Sequence, residues 1–238
     1  MNKINIFITF VAAAIFSACA TFKPQYASPK NALLGVSSER EIDKTFFIIG
    51  NAGKGGDEAS KAIQSLKNYL AENNSEDSYV LFLGNSFYPS GMQPKDDAAK
   101  NQAEKSMALQ LEALKDFKGK VVVLPGSRDW KSGVDGLELE EDFLKGKFND
   151  ADVLQPNNGC GIESIDINNN VHLLALDTQW FLEDWDDYPK MNDKCDIKTR
   201  DQFFIEVEGE LKKNADKTIV LAMYHPLVTY GEHGGKYP

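Results

Sequence analysis

Five short runs of apolar, β-branched or aromatic residues, each bounded by turn residues, predict buried strands. They are Thr45–Gly50 (TFFIIG), Tyr79–Gly84 (YVLFLG), Lys120–Pro125 (KVVVLP), Val171–Asp177 (VHLLALD) and Thr218–Tyr224 (TIVLAMY). Between several of them the apolar period lengthens to that of a helix. Ile63, Leu66 and Leu70 fall three and four apart within Glu58–Glu72, as do Met107, Leu111, Leu114 and Phe117 ahead of a stop at Gly119. Thr199 and Gln202 stand at capping-box spacing and predict a helix whose buried stripe is Phe203, Val207 and Leu211.

Strands alternating with helices predict an α/β fold in layers. In such folds the loops beyond the carboxyl ends of the strands gather on one edge and build the ligand site. Here those loops read Gly50-Asn51-Ala52-Gly53, Gly84-Asn85-Ser86-Phe87-Tyr88, Pro125-Gly126-Ser127-Arg128-Asp129-Trp130, Asp177-Thr178-Gln179-Trp180 and Tyr224-His225-Pro226-Leu227.

Composition narrows the class. The 238 residues are 42% hydrophobic and 26% charged, which excludes wholesale disorder and suits one α/β domain or an elongated two-sheet sandwich. Lys plus Arg number 26 against 36 Asp plus Glu, a net charge of −10 that repels phosphate backbones and argues against nucleic-acid binding.

Residues 1–18 carry a single charge, Lys3, followed by an apolar run from Ile6 to Phe16. That run is shorter than the roughly 20 residues of a bilayer-spanning helix and has the layout of a secretory signal. Phe16-Ser17-Ala18-Cys19 resembles a bacterial lipobox, with Phe16 where leucine is more usual. Residues 1–18 are therefore expected to be a signal peptide, 19–43 a lipidated Cys19 with its Pro-, Ser- and Asn-rich tether, and 44–238 the domain. An ordinary signal peptide with an incidental cysteine is the alternative. In an exported protein the remaining pair, Cys160 and Cys195, suggests a disulfide closing a loop of about 35 residues and contributing about 3 kcal/mol. The alternative is two unpaired thiols; neither cysteine has a histidine at metal-ligand spacing.

The order of the loops resembles the calcineurin-like metallophosphoesterases, in the branch similar to purple acid phosphatases. The resemblance runs from about Thr45 to Gly235. It rests on Gly84–Met92 with its Tyr88-Pro89, on Pro125–Trp130, on Asp177-Thr178-Gln179-Trp180, and on His225-Pro226-Leu227 with Gly231-Glu232-His233-Gly234-Gly235. It implies a β-sandwich flanked by helices, with part of the second half-sheet beyond Pro238. It also implies an edge where active relatives hold two divalent metals that clamp a phosphate and generate a hydroxide.

The residues at the matching positions do not suit that chemistry. Asn51 stands for the first-loop aspartate, Asn85 for the bridging aspartate, Ser127 and Arg128 for an asparagine and a histidine, and Tyr224 for a ligand histidine. Asp129 and His225 are remnants. A permanent cation about 4 Å from a divalent ion costs about 8 kcal/mol at an effective dielectric of about 20. The resemblance therefore implies a pseudoenzyme, with no metal or other cofactor expected.

Other residues keep two readings each. His225 is a substrate neighbour or a structural histidine, His233 a surface turn residue or a participant, and His172 a satisfied core histidine. Arg128, with Ser127, Asn51 and Asn85, either binds an anion without metal or pairs with Asp129 or Asp177 and plugs the cavity. Trp180, Phe181, Trp185 and Tyr188 form either a contact surface or a loop packed over the cysteine pair.

Three functions follow as expectations. The first is a catalytically inactive, lipid-anchored structural or interaction subunit of the bacterial envelope, at the outer membrane and facing the periplasm or the cell surface. Its partner would be an envelope protein, and outer-membrane assembly or transport machinery is suggested by relatives joined to barrel domains. The second is a metal-dependent phosphoesterase with an altered ligand set. The third is a metal-free anion-binding module.

Overall fold

The computed structural model describes residues 41–54, 58–148, 150 and 152–228. The signal segment, Cys19, most of its tether and the 229–238 segment with His233 lie outside the described residues. The chain divides between Ile42 and Asp43, and every element below belongs to the second unit.

All five predicted strands form, each ending one residue before the turn residue that closes its segment. They are β1 (Thr45–Ile49), β2 (Ser78–Leu83), β3 (Lys120–Leu124), β5 (Val171–Leu176) and β6 (Thr218–Met223). A sixth, β4 (Ile162–Asp166), has the sequence IESID, too polar to read as a buried run, and its side chains are partly or fully exposed. The helices are α1 (Lys61–Glu72), α2 (Asp97–Leu111), α3 (Gly133–Phe148), α4 (Thr178–Leu182) and α5 (Arg200–Lys213).

Strands β1, β2 and β3 make one parallel sheet in that order. In the second sheet, ordered β4-β5-β6, β4 runs antiparallel to β5 and β6 parallel to it. Because successive side chains on a strand point to opposite faces, each sheet presents two apolar surfaces. Tyr79, Leu81, Val122 and Leu124 of the first sheet pack on Leu173, Ala175 and Ala222 of the second. On the other face, Val80, Phe82, Val121 and Val123 bury Ile63, Leu66 and Leu70 of α1, Met107 of α2 and Leu144 of α3. Leu174 and Leu176 turn outward to Trp180 of α4 and Phe203 of α5. The architecture is mixed α/β: two three-stranded sheets face to face, with helices over both outer surfaces.

The caps explain where the helices start. Ser60 accepts from the Ile63 amide, Asp96 from that of Ala99 and Thr199 from that of Gln202. The reciprocal half of the predicted capping box is displaced by one residue, since Gln202 Oε1 accepts from the amide of Lys198. The helix expected to run to Phe117 stops at Leu111 and tightens into a 3-10 turn over Glu112–Leu114. Helix α3 escapes the periodicity because its inner face carries Gly133, Gly136 and Glu140 beside Leu137 and Leu144.

On α5 the expected stripe needs a correction. Phe203 is buried and Val207 partly so, but Leu211 is 38% exposed, and Glu210 and Asn214 take the inner positions. A polar knot on the second sheet accounts for this. Glu210 accepts from Ser164 Oγ (2.5 Å) and Lys213 Nζ (2.9 Å), and lies 3.6 Å from His172 Nε2. His172, itself buried, is also 2.9 Å from Asp166, so it is a satisfied core histidine.

Cys160 and Cys195 form a disulfide (Cα–Cα 5.5 Å) joining the approach to β4 to the loop before α5. Above it, Trp180 packs against Trp185 and Phe203, and Trp185 Nε1 donates to Trp180 O. The aromatic loop is thus largely packed inward. Replacing both cysteines by serine is expected to lower unfolding free energy by about 3 kcal/mol, read by chemical denaturation.

Candidate functional site

The loops after β1, β2, β3, β5 and β6 converge on one edge, and a single buried carboxylate sets their spacing. Asp129, 1% exposed, begins a short 3-10 turn after β3. Its Oδ2 accepts from the amides of Asn85 and Gly126 (both 2.7 Å), and its Oδ1 from the amide of Phe87 (3.2 Å). This remnant therefore clasps the β2 loop to the β3 loop.

Above the clasp the side chains join into a neutral network. Asn85 and Asn51 both sit in the left-handed region (φ 58 and 52), which asparagine tolerates better than most residues. Asn85 Nδ2 donates to Asn51 Oδ1 (3.3 Å) and to Tyr224 Oη (2.9 Å), while Asn85 Oδ1 accepts from the amide of Arg128 (2.9 Å). Tyr224 Oη also lies 3.0 Å from Ser127 Oγ. The tyrosine ring rests on Gly84 and Gly126: a Cβ built on either would fall 2.4 Å or 2.8 Å from a ring carbon. Glycine at both positions is what lets the ring lie across the edge.

Five predicted positions, Asn51, Asn85, Ser127, Arg128 and Tyr224, are thus brought together. The guanidinium of Arg128 does not pair with Asp129 or Asp177. Both carboxylates are occupied by N–H donors, and Arg128 instead donates Nη1 to Pro89 O (2.8 Å) and lies over the Tyr88 ring, 4.8 Å from its centroid. His225 stands beside the cluster, with Nδ1 2.8 Å from Thr178 Oγ1 and its backbone N–H donated to the same oxygen (3.1 Å).

Metal ions require anionic or strongly donating ligands directed at one point. Here Asn85 Oδ1 is used by a backbone amide, both Asp129 oxygens face backbone donors, and an aromatic ring lies across the edge. Among the described residues no group of three or more His, Cys, Asp or Glu is placed to hold a metal ion. The described residues of this edge do not fit a dinuclear centre.

Two buried carboxyls were missed as structural parts of this edge. Asp177 caps α4 through the amides of Gln179 and Trp180 (2.9 Å each) and accepts from Trp130 Nε1 (2.7 Å). Its place between a strand and Thr-Gln-Trp was a readable cap signal. Glu140 accepts from the Met92 amide (3.0 Å) while Oε2 has no partner among the described residues. It lies within the acidic run Glu138–Asp142, where nothing distinguishes it in the sequence.

No family model matches the chain, and no curated protein matches it. Among the described residues no helix is long and apolar enough to cross a membrane.

Burial pushes Asp129 up to about 6 and Asp177 up to about 7, against the pull of their hydrogen-bond donors. Burial, then the charge of Asp129, pushes Glu140 well up. A carboxyl raised in the folded state contributes stability that is complete below its unfolded pKa of about 4 and is lost as pH rises through the folded value. His225, lowered by burial, acts in the opposite sense below 6.5. Three carboxyls outweigh one histidine, so the melting temperature is expected to rise from about pH 8 to about pH 5, and less steeply in Asp177→Asn, as read by circular dichroism.

Proposed function

We propose that this chain carries a metallophosphoesterase-like domain that has lost the metal-dependent reaction and serves as a structural or interaction subunit of the bacterial envelope. It is anchored through a lipidated Cys19 at the outer membrane. The observation that carries this reading is the Asn51–Asn85–Tyr224–Ser127 network: an edge held by neutral side chains, with Arg128 adjoining. The order of the loop blocks supports the ancestry, and the Cys160–Cys195 bond suits an oxidising compartment. The partner proposed is an envelope protein, with outer-membrane assembly or transport machinery suggested by the same resemblance.

Metal analysis of the purified chain, with turnover of a generic phosphomonoester in added manganese, iron or zinc, tests the proposal. The expected result is neither stoichiometric metal nor turnover above the solvent rate. About two equivalents of metal with turnover would replace it with a phosphoesterase of altered ligand set.

One observation favours a second reading, a metal-free anion site. The half-buried guanidinium of Arg128 makes one hydrogen bond among the described residues, so further N–H groups on it remain to receive an anion. Inorganic phosphate is then expected to raise the melting temperature of the wild type and not of Arg128→Ala; no shift in the wild type rejects this reading.

A further inference from the structure

The loop after β2, residues 84–92, is held at both ends by buried carboxyls. At its start Asp129 takes the amides of Asn85 and Phe87. At its end Glu140 of α3, inaccessible to water, takes the amide of Met92 at 3.0 Å. Between these two fixings Tyr88, Pro89 and Ser90 are only partly buried. This middle stretch is what seats Arg128, whose Nη1 donates to Pro89 O and whose guanidinium lies over the Tyr88 ring. The place of the guanidinium therefore depends on a loop whose far end is fixed by a helix outside the Asn85–Tyr224 network.

Glu140 is poorly provided for. Met92 uses its Oε1, and its Oε2 has no partner among the described residues. From the 3-10 turn Asp129–Ser132, Asp129 acts on it and Lys131 is exposed, while the turn Asn157–Gly159, also packed on α3, brings no ionisable side chain. The 84–92 loop contains only Tyr88, and on α3 itself Glu138, Glu141 and Asp142 add negative charge. No cation is among the groups that act on Glu140, and burial with the charge of Asp129 keeps its carboxyl protonated well above the usual range. Protonated, it leaves one O–H unpaired; ionised, it would leave a charge unpaired beside a second carboxylate, which costs far more. Water entering along the partly buried residues 88–90 is the nearest relief.

We propose that Glu140 is a proton-dependent latch on the 84–92 loop. Protonated, it keeps the Met92 end closed and Arg128 seated on Pro89 O; ionised, it admits water, and the loop and the guanidinium come free together. The sign follows from linkage: closure is complete below the unfolded pKa of about 4 and is lost as pH rises through the folded value. The opening is local, because Phe87 and Met92 are otherwise buried in the core under α3, where Phe87 meets Phe143 edge-on at 5.8 Å. Where Arg128 receives an anion, a consequence that rests on the metal-free reading above, the latch makes binding strongest on the acid side.

The test is amide hydrogen exchange of the full chain in detergent, read by NMR and corrected for the effect of pH on intrinsic exchange. In wild type, Met92 is expected to lose at least about tenfold in protection from about pH 6.5 to about pH 8.5, and to be at least about tenfold less protected there than Val80 and Phe82 of β2. Glu140→Gln cannot ionise and keeps an acceptor for the Met92 amide, so its Met92 protection is expected to stay level. Asp142→Asn, exposed on the same helix, is expected to behave as wild type does. Met92 exchanging at the rate of Val80 and Phe82 in wild type, a comparison that needs no variant, would overturn the proposal by assigning the pH effect to global unfolding. Unchanged pH dependence in Glu140→Gln would overturn it as well. Sulfate, whose charge is constant over this range, is expected to raise the wild-type melting temperature less at about pH 8.5 than at about pH 6.5, and that of Glu140→Gln equally at both. An equal shift at both pH values in wild type overturns the coupling to Arg128. No sulfate effect at either pH rejects the anion reading alone, since the exchange data decide the latch without it.

Discussion

The carboxylate of Asp129, inaccessible to water, accepts three backbone amides from two different loops. Leaving such amides unpaired in the interior costs about 1–3 kcal/mol each, so they demand an acceptor at that point. The acceptor fixes where the chain leaves β2 relative to where it leaves β3, and hence how Asn85, Ser127 and Arg128 face one another. Trp130, the next residue, carries the constraint across the molecule by donating its indole N–H to Asp177, which caps α4. Two adjacent residues thereby connect loops of both sheets. The opposition of burial to hydrogen bonding at these carboxyls makes the same clasp sensitive to protons.

On this frame the chemistry of the edge follows from donor and acceptor arithmetic. An amide side chain both donates and accepts, and Asn85 does both: its nitrogen faces Asn51 and Tyr224, its oxygen the Arg128 amide. A carboxylate there would accept only and would leave Tyr224 and Asn51 to rearrange. The network is self-consistent as neutral hydrogen bonds, and it uses the polar atoms that metal coordination would need.

Much of this was legible before folding. The five strands are continuous apolar runs, buried on both faces in β2, β3 and β5 and partly exposed in the outer strands β1 and β6, and composition and turn residues marked their extent to within one residue at the carboxyl end. The loop residues at the edge were named because loops after parallel strands must gather there. Strand β4 was not legible, since partly exposed residues need no apolar run, and neither was α3, whose inner face is built partly from glycine and a protonatable glutamate. The stripe of α5 misled at Leu211 because Ser164 and His172, far away in sequence, give Glu210 partners that make its burial favourable. The direction of Arg128 was likewise undecidable from the chain, because Asp129 and Asp177 were already filled by backbone and indole donors that only folding brings near. The sequence by itself determined which segments are apolar and which side chains stand at the ends of strands. Tertiary structure alone decided which polar groups find partners, because hydrogen bonds depend on ångström-scale distances between residues that the linear chain keeps apart.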